Sequence, residues 1–302
     1  MKRSTRNLIK EARTAKDYSL FDFLHGYFYM RWPYFYISMG KGDHPLSRKL
    51  SGIVAFVFGF LERTRKRDKG SGQGGGFAEG YHGKVLPLGT ARQLVSINEE
   101  IRMDNLEQVI PFEKARDIIL KNPDHIVVID CPCRKGMKDP CLPLDVCLII
   151  GEPFASFVLD HHPDSSRAIT SAKAQEILEQ ESRRGHVSHA FFKDAVLNRF
   201  YAICNCCSCC CGAMKAHRNG TPMIISSGFV CNVNEEKCTA CGDCVEHCQF
   251  AAISLNGRLS CAAELCMGCG VCVEHCSHEA LSLKRDQSKP APLEINQLTA
   301  FQ

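Results

Sequence analysis

The chain has 302 residues, room for two or three small domains, with an ordinary hydrophobic share of 45%, a net charge of only +4 and 20 cysteines. The opening Met-Lys-Arg-Ser-Thr-Arg-Asn-Leu-Ile-Lys carries no apolar signal segment, so the cysteines are expected in a reducing, cytoplasmic setting. That argues against a small disulfide scaffold and for metal ligands or redox thiols. No G-x-G-x-x-G follows a predicted strand and no Walker A pattern occurs, so there is no sequence case for a flavin, nicotinamide or nucleotide site.

Taken in chain order, residues 1–69 come first, with 15 Lys/Arg against 6 Asp/Glu, a charge of +9 that leaves −5 for the remaining 233 residues. Ten of the chain's 25 aromatic residues fall within 18–36. The apolar run Ile53–Leu61 ends directly in the basic Arg63–Arg67, and its nine residues are far fewer than the about 20 that span a bilayer. A basic, aromatic head is expected, peripheral on an anionic membrane surface at the inner face. The alternatives are docking on a partner enzyme and a small core of its own. Nucleic acid is not expected, because Arg65-Lys66-Arg67 is short. Residues 70–79 are a linker, opened by the glycine-rich stretch from Gly70 to Gly76.

Residues 80–228 are expected to form a cysteine-rich α/β unit, in an α+β fold class overall. Ile126-Val-Val-Ile-Asp130 has the β-branched character of a buried strand and leads into Cys131-Pro-Cys133-Arg134. A helix is expected near Phe112–Lys121, another from Ser171 to Arg184 stopping at Gly185, and a strand at Met223–Ile225. Cys131, Cys133, Cys141 and Cys147 form one group of candidate ligands; Cys204, Cys206, Cys207, Cys209, Cys210 and Cys211 form a second. Within the second, Cys204, Cys207 and Cys210 are spaced by two residues each, and Cys206 and Cys209 make another such pair. Six cysteines in eight residues cannot all reach one cubane, so the two groups are expected to share one or two further [4Fe–4S] clusters with mixed ligation; another metal and redox thiols are the alternatives. His161, His162, His186 and His189 are lesser candidates. Arg134 is either a charge beside a cluster loop, raising its reduction potential, or a surface arginine.

Residues 229–285 hold an internal repeat at an offset of 28 residues, Cys238-x2-Cys241-x2-Cys244-x3-Cys248 and Cys266-x2-Cys269-x2-Cys272-x3-Cys276, each ending in Cys-Val-Glu-His-Cys. Three thiolates at these intervals wrap one face of a cubane, and the fourth, on a starting helix, reaches the neighbouring cluster. Cys238, Cys241, Cys244 and Cys276 are therefore expected on one cluster, and Cys266, Cys269, Cys272 and Cys248 on the other. Gly242, Gly268 and Gly270 leave the loops free for N–H groups to point at sulfur. Paired zinc sites would call for wider separation between ligand pairs. Residues 286–302, with Pro290 and Pro292, are expected to be an extended tail.

Over about 55 residues this repeat resembles bacterial-type two-cluster [4Fe–4S] ferredoxins, which implies a ferredoxin-like domain and one-electron transfer with a partner oxidoreductase. It departs from their pattern after the fourth cysteine, where Gln249 and Ser277 stand in place of proline. Cys131–Arg134 and Ile203–Cys211, the latter containing Cys-Asn-Cys-Cys-x-Cys-Cys-Cys, resemble a group of iron–sulfur proteins of anaerobic microbes. In that group, Cys-x-Cys-Arg and Ile-Cys-Asn-Cys-Cys segments precede a two-cluster domain. The resemblance implies anaerobic electron transfer and names no substrate. The principal expectation is an electron-transfer protein serving a partner; the alternative is a reductase with its own substrate-binding iron–sulfur site in residues 80–228.

Overall fold

The computed structural model describes residues 1–44, 81–103, 106, 109–111, 118–295 and 299–300. The apolar run at 53–61, the basic run after it and the glycine-rich linker lie outside these residues.

Three helices open the chain: α1 (Arg3–Thr14), α2 (Leu20–Arg31) and α3 (Pro33–Lys41). Ser19 and Asp22 cap α2 reciprocally, each side chain bonding the other's backbone N–H, and Pro33 starts α3 where its missing N–H costs nothing. The middle of the molecule is a nine-stranded sheet. Its strands are β1 (Tyr81–Leu86), β2 (Ile101–Met103), β3 (Ile118–Asp130), β4 (Asp145–Glu152), β5 (Ser166–Ile169), β6 (Val187–Lys193), β7 (Arg199–Cys206), β8 (Ile224–Ile225) and β13 (Thr299–Ala300). The order is β13-β2-β3-β4-β7-β6-β1-β8, with β5 also on β3, and only the β1–β8 pair is parallel.

Period-two alternation divides the sheet's side chains between two cores. Ile126, Val128, Leu148, Ile150, Phe192 and Ile203 face a layer made by α4 (Leu88–Leu94) and α7 (Ser171–Arg183). Val127, Ile129, Cys147, Ile149 and Phe191 face the other way, toward α6 (Phe154–His161) and the N-terminal helices. Burial on both faces explains why residues 126–129 are an unbroken apolar run. Thr170 accepts from Lys173 N at the start of α7, and Gly185, at φ +79, follows its end, near the predicted stop. The helix expected near Phe112–Lys121 is corrected over its last four residues: Ile118–Lys121 open strand β3, where Leu120 pairs with Ile101 of β2, and 112–117 lie outside the described residues.

The N-terminal segment, as far as residue 44, is not a separate head. Leu8, Tyr29 and Met30 belong to the same buried cluster as Val127, Ile149 and Phe191. Glu11 on α1 bonds Lys121 Nζ at 2.6 Å and Arg199 at 3.0 Å, and the Tyr29 and Tyr201 hydroxyls meet at 2.8 Å. Gly26 permits the closest approach: a Cβ there would lie 1.6 Å from Ala195 O. The aromatic residues expected to serve an external surface are thus divided, with Tyr18, Phe23, Tyr27, Tyr29 and Tyr36 packed inward and Phe21, Phe28, Trp32 and Phe35 exposed. The tail is corrected as well. Leu293 is buried, Ala291 O accepts from the buried Lys84 ammonium at 2.7 Å, and β13 pairs with β2, so the tail meets the sheet at Ala291, Leu293 and β13.

The C-terminal unit comprises β9 (Phe229–Val233) paired with β12 (Leu281–Arg285), and β10 (Ile253–Asn256) paired with β11 (Arg258–Cys261). Between them lie the one-turn helices α9 (Asp243–Glu246) and α10 (Val271–Glu274). The sequence repeat becomes a structural one: His247 and His275, the histidines of the two Cys-Val-Glu-His-Cys segments, stack at 3.6 Å. Residue 268 must be glycine. Its φ is +66, and a Cβ would stand 2.2 Å from Phe229 O.

Candidate metal centres

In the C-terminal unit a small cavity is lined by Cys238, Cys241, Cys244 and Cys276, which brings the last cysteine of the second run to the first three of the other. Cys269 has Cys272 and Cys248 as thiol neighbours, which brings together three members of the reciprocal grouping. Gly242 and Gly270, at φ +91 and +81, turn each loop into its helix. Backbone N–H groups point at sulfur in matching places: Ala252 N at Cys248 Sγ and Ala280 N at Cys276 Sγ, both 3.3 Å. Such donors stabilise thiolate and cluster charge, so the residues present fit two cubanes. Cys231 and Cys261, which spacing left unassigned, stand beside the second set. Cys231 N donates to Cys266 Sγ at 3.3 Å, and the Cys231 thiol reaches those of Cys261 and Cys272. Their positions on β9 and β11 are set by the sheet pairing, which no motif announces.

The middle cysteines regroup. Cys141 leaves the first group and joins Cys207, Cys209 and Cys210, the four sulfurs all lying within 4.8 Å of one another. The remaining six make a continuous series of thiol contacts, Cys204 to Cys147 to Cys131 to Cys133 to Cys211 to Cys206. The expected trio Cys204, Cys207 and Cys210 is split. Cys204 is held in β7, directly across from Cys147 of β4, while Cys207 and Cys210 lie beyond the strand in the turn before α8 (Gly212–Arg218). Cys131 directly follows β3, and Cys133 sits in the short helix α5 (Pro132–Lys135), where Gly212 N donates to its sulfur at 3.5 Å.

His189 joins the six. It is fully buried, its Nδ1 faces Val187 O at 3.1 Å, its Nε2 has no hydrogen-bond partner among the described residues, and its ring lies beside Cys206. With Nδ1 held by a carbonyl, the remaining nitrogen has the orientation usual for a metal-ligating histidine. The Cys211 thiol, and less strongly His189, hold Cys206 down to about 6 despite its burial. The other candidate histidines are engaged elsewhere: His161 with Thr5, His162 with Met30 O, and His186 with Glu181.

Arg134 is buried, not a surface arginine. Its guanidinium donates to Pro143 O, Asn205 O and Glu181 at 2.6, 3.1 and 2.5 Å. Burial pushes the Glu181 carboxyl up, but His186 and Arg134 outweigh it and hold the group below its ordinary value. Glu181 lies on α7 with no local signal of this role, so sequence reasoning missed it. The ion pair fixes the loop between Arg134 and Pro143 under the cysteines and offsets most of the arginine's charge.

The six thiols, with Cys207 and Cys210, border a cavity of about 620 Å³ that Tyr29, Tyr36, Tyr81, Tyr201 and Lys193 also line. Lys193 Nζ lies 5.0 to 5.4 Å from three of these tyrosine rings. From α3, Lys41 donates to Cys133 O at 3.0 Å, so the N-terminal helices form one wall. The C-terminal unit packs on the same core: Met267 and Val271 belong to the buried cluster that contains Cys206 and Cys211, and Cys269 and Phe250 pack against it. Gln249, where the ferredoxin pattern has proline, accepts from Ser208 N at 2.8 Å. Among the described residues no helix is long and apolar enough to cross a membrane.

No curated protein matches the chain. Residues 232–254 and 263–282 match the family model of the 4Fe–4S binding domain, and with the cysteine geometry this identifies the C-terminal unit as a 4Fe–4S binding domain.

Proposed function

We propose that the chain is an iron–sulfur electron-transfer protein in which the C-terminal unit exchanges electrons with a further cluster held by the six-cysteine group and His189, and through it with a partner oxidoreductase. One observation carries this reading: Cys269, half-buried, packs against the large buried cluster to which Cys206 and Cys211 belong. When bound, [4Fe–4S] clusters supply one-electron chemistry. The chain supplies apolar packing of the C-terminal unit on the middle core and N–H groups aimed at sulfur. Rapid mixing of anaerobic holoprotein with a one-electron donor, followed by freeze-quench EPR, tests it. Signals of the C-terminal clusters should precede those of the middle unit. A Cys238→Ser, Cys266→Ser variant should slow reduction of the middle unit, and unchanged rates would sink the relay.

A second reading, a reductase with its own substrate site, is favoured by the cavity beside the six thiols. Turnover of a small acceptor that also shifts the EPR signals of the middle unit would support it over the relay. For the N-terminal helices, the exposed Leu20, Phe21, Leu24, Phe28 and Trp32 support contact with an anionic membrane surface in either reading. Sedimentation with anionic vesicles, weakened by salt and by Phe28→Ser, would be the sign of it.

A further inference from the structure

The ten middle cysteines separate into groups of different dimensions, and the smaller group has the size of a single ion. Its Cys141 and Cys209 sulfurs are 3.1 Å apart and those of Cys209 and Cys210 3.7 Å, within a set whose members all lie inside 4.8 Å. A tetrahedral ion with metal–sulfur bonds of about 2.3 Å holds its sulfurs about 3.8 Å from one another. The thiolates of a cubane sit on four separate irons, point outward from its corners, and must stand further apart. The C-terminal sets provide the internal scale, because among the described residues the tight gathering is found at Cys141, Cys207, Cys209 and Cys210 alone.

The surroundings suit a staple. Residues 136–144 form a loop with little apolar burial, and its Leu142 is 66% exposed. The same loop must present Pro143 O to the buried Arg134. Cys207 and Cys210 are buried in the opposite turn, which Arg218 and Gln249 brace through Ser208. We propose that Cys141, Cys207, Cys209 and Cys210 bind one mononuclear ion, zinc or iron, the two metals suited to four thiolates. The coordination is closed, with no open position for substrate, so the ion holds the loop against the turn as a structural metal does. Cys207 and Cys210 also border the cavity of the six-cysteine group, but none of those six joins the four-sulfur gathering, so the assignment does not rest on the relay.

Elemental analysis of the full-length protein, purified anaerobically, tests the assignment. Cys141→Ser with Cys209→Ser should remove one equivalent of zinc, or one of iron, and leave the remaining iron unchanged. Loss of about four irons would make the site a cubane and overturn the proposal, as would no loss of metal. Should that variant fail to fold, the unmodified protein decides. Zinc-edge X-ray absorption should show four sulfurs at about 2.3 Å without a neighbouring iron, or Mössbauer spectra should show one isolated tetrathiolate iron. Absence of both signatures would also overturn it.

Discussion

The C-terminal and middle units both gather many cysteines, but by different means. In the C-terminal unit each loop delivers three thiols within seven residues, so spacing along the chain assigns most of each set. In the middle unit, Cys147 of β4 and Cys204 of β7 are paired by the sheet register, and Cys131 directly follows β3, the neighbour of β4. A site made by a loop can survive changes in its neighbours. A site made by a sheet depends on every layer packed on that sheet.

The strongest way to break this comparison is to delete residues 1–44. Because Tyr29 and Lys41 wall the six-cysteine group, the deletion should strip the middle unit of metal while the C-terminal unit keeps about eight irons. Iron counting with EPR checks it, and full retention of metal would restore the head to an independent unit. Next in size is Arg134→Met, which leaves the Glu181 carboxylate buried without its main cation and should cost about 3–5 kcal/mol in denaturant unfolding. A cost within experimental error would mean that His186 suffices.

Within the C-terminal unit the repeat supplies its own control. Gly268→Ala places a side chain at φ +66 against Phe229 O and should cost about 1–3 kcal/mol with impaired reconstitution. The equivalent residue of the first run is already an alanine, Ala240 at φ +55, so Ala240→Gly should change little. Equal effects at the two positions would show that the contact with residue 229 is not what distinguishes the loops.

The smallest effect concerns Lys84, which ties β1 to the C-terminal tail. Burial, and then the charge of Arg285, lower it from 10.5 to about 7. Between these values the unfolded chain keeps a proton that the folded chain has released, so this lysine makes stability rise with pH, by up to about 1.4 kcal/mol per unit. Unfolding at pH 7 and 8.5 should show that rise in the natural protein and a smaller one in Lys84→Met. Parallel profiles would mean the ammonium stays charged between the carbonyls of Ala291 and Val109.

How far each feature could be read from the sequence follows the same division. The strand at 126–130 and the helix from Ser171 were legible because burial leaves a local pattern, period two or 3.6, in a single segment. Ile118–Lys121 looked helical because Ile118 and Ile119 suit either form, and only pairing with β2 makes them strand. Glu181 gave no sign, since its partner Arg134 lies 47 residues away.

The sequence by itself determined that the C-terminal unit is a two-run iron–sulfur module, because a tight loop converts residue spacing directly into thiol geometry. It also determined that the middle cysteines could not all serve one cubane. Only the tertiary structure decided how they divide, that His189 faces Cys206, and that the N-terminal aromatics wall the cavity. The physical reason is that strand register and layer packing are set by burial summed over the whole sheet, and no segment carries that sum in its own residues.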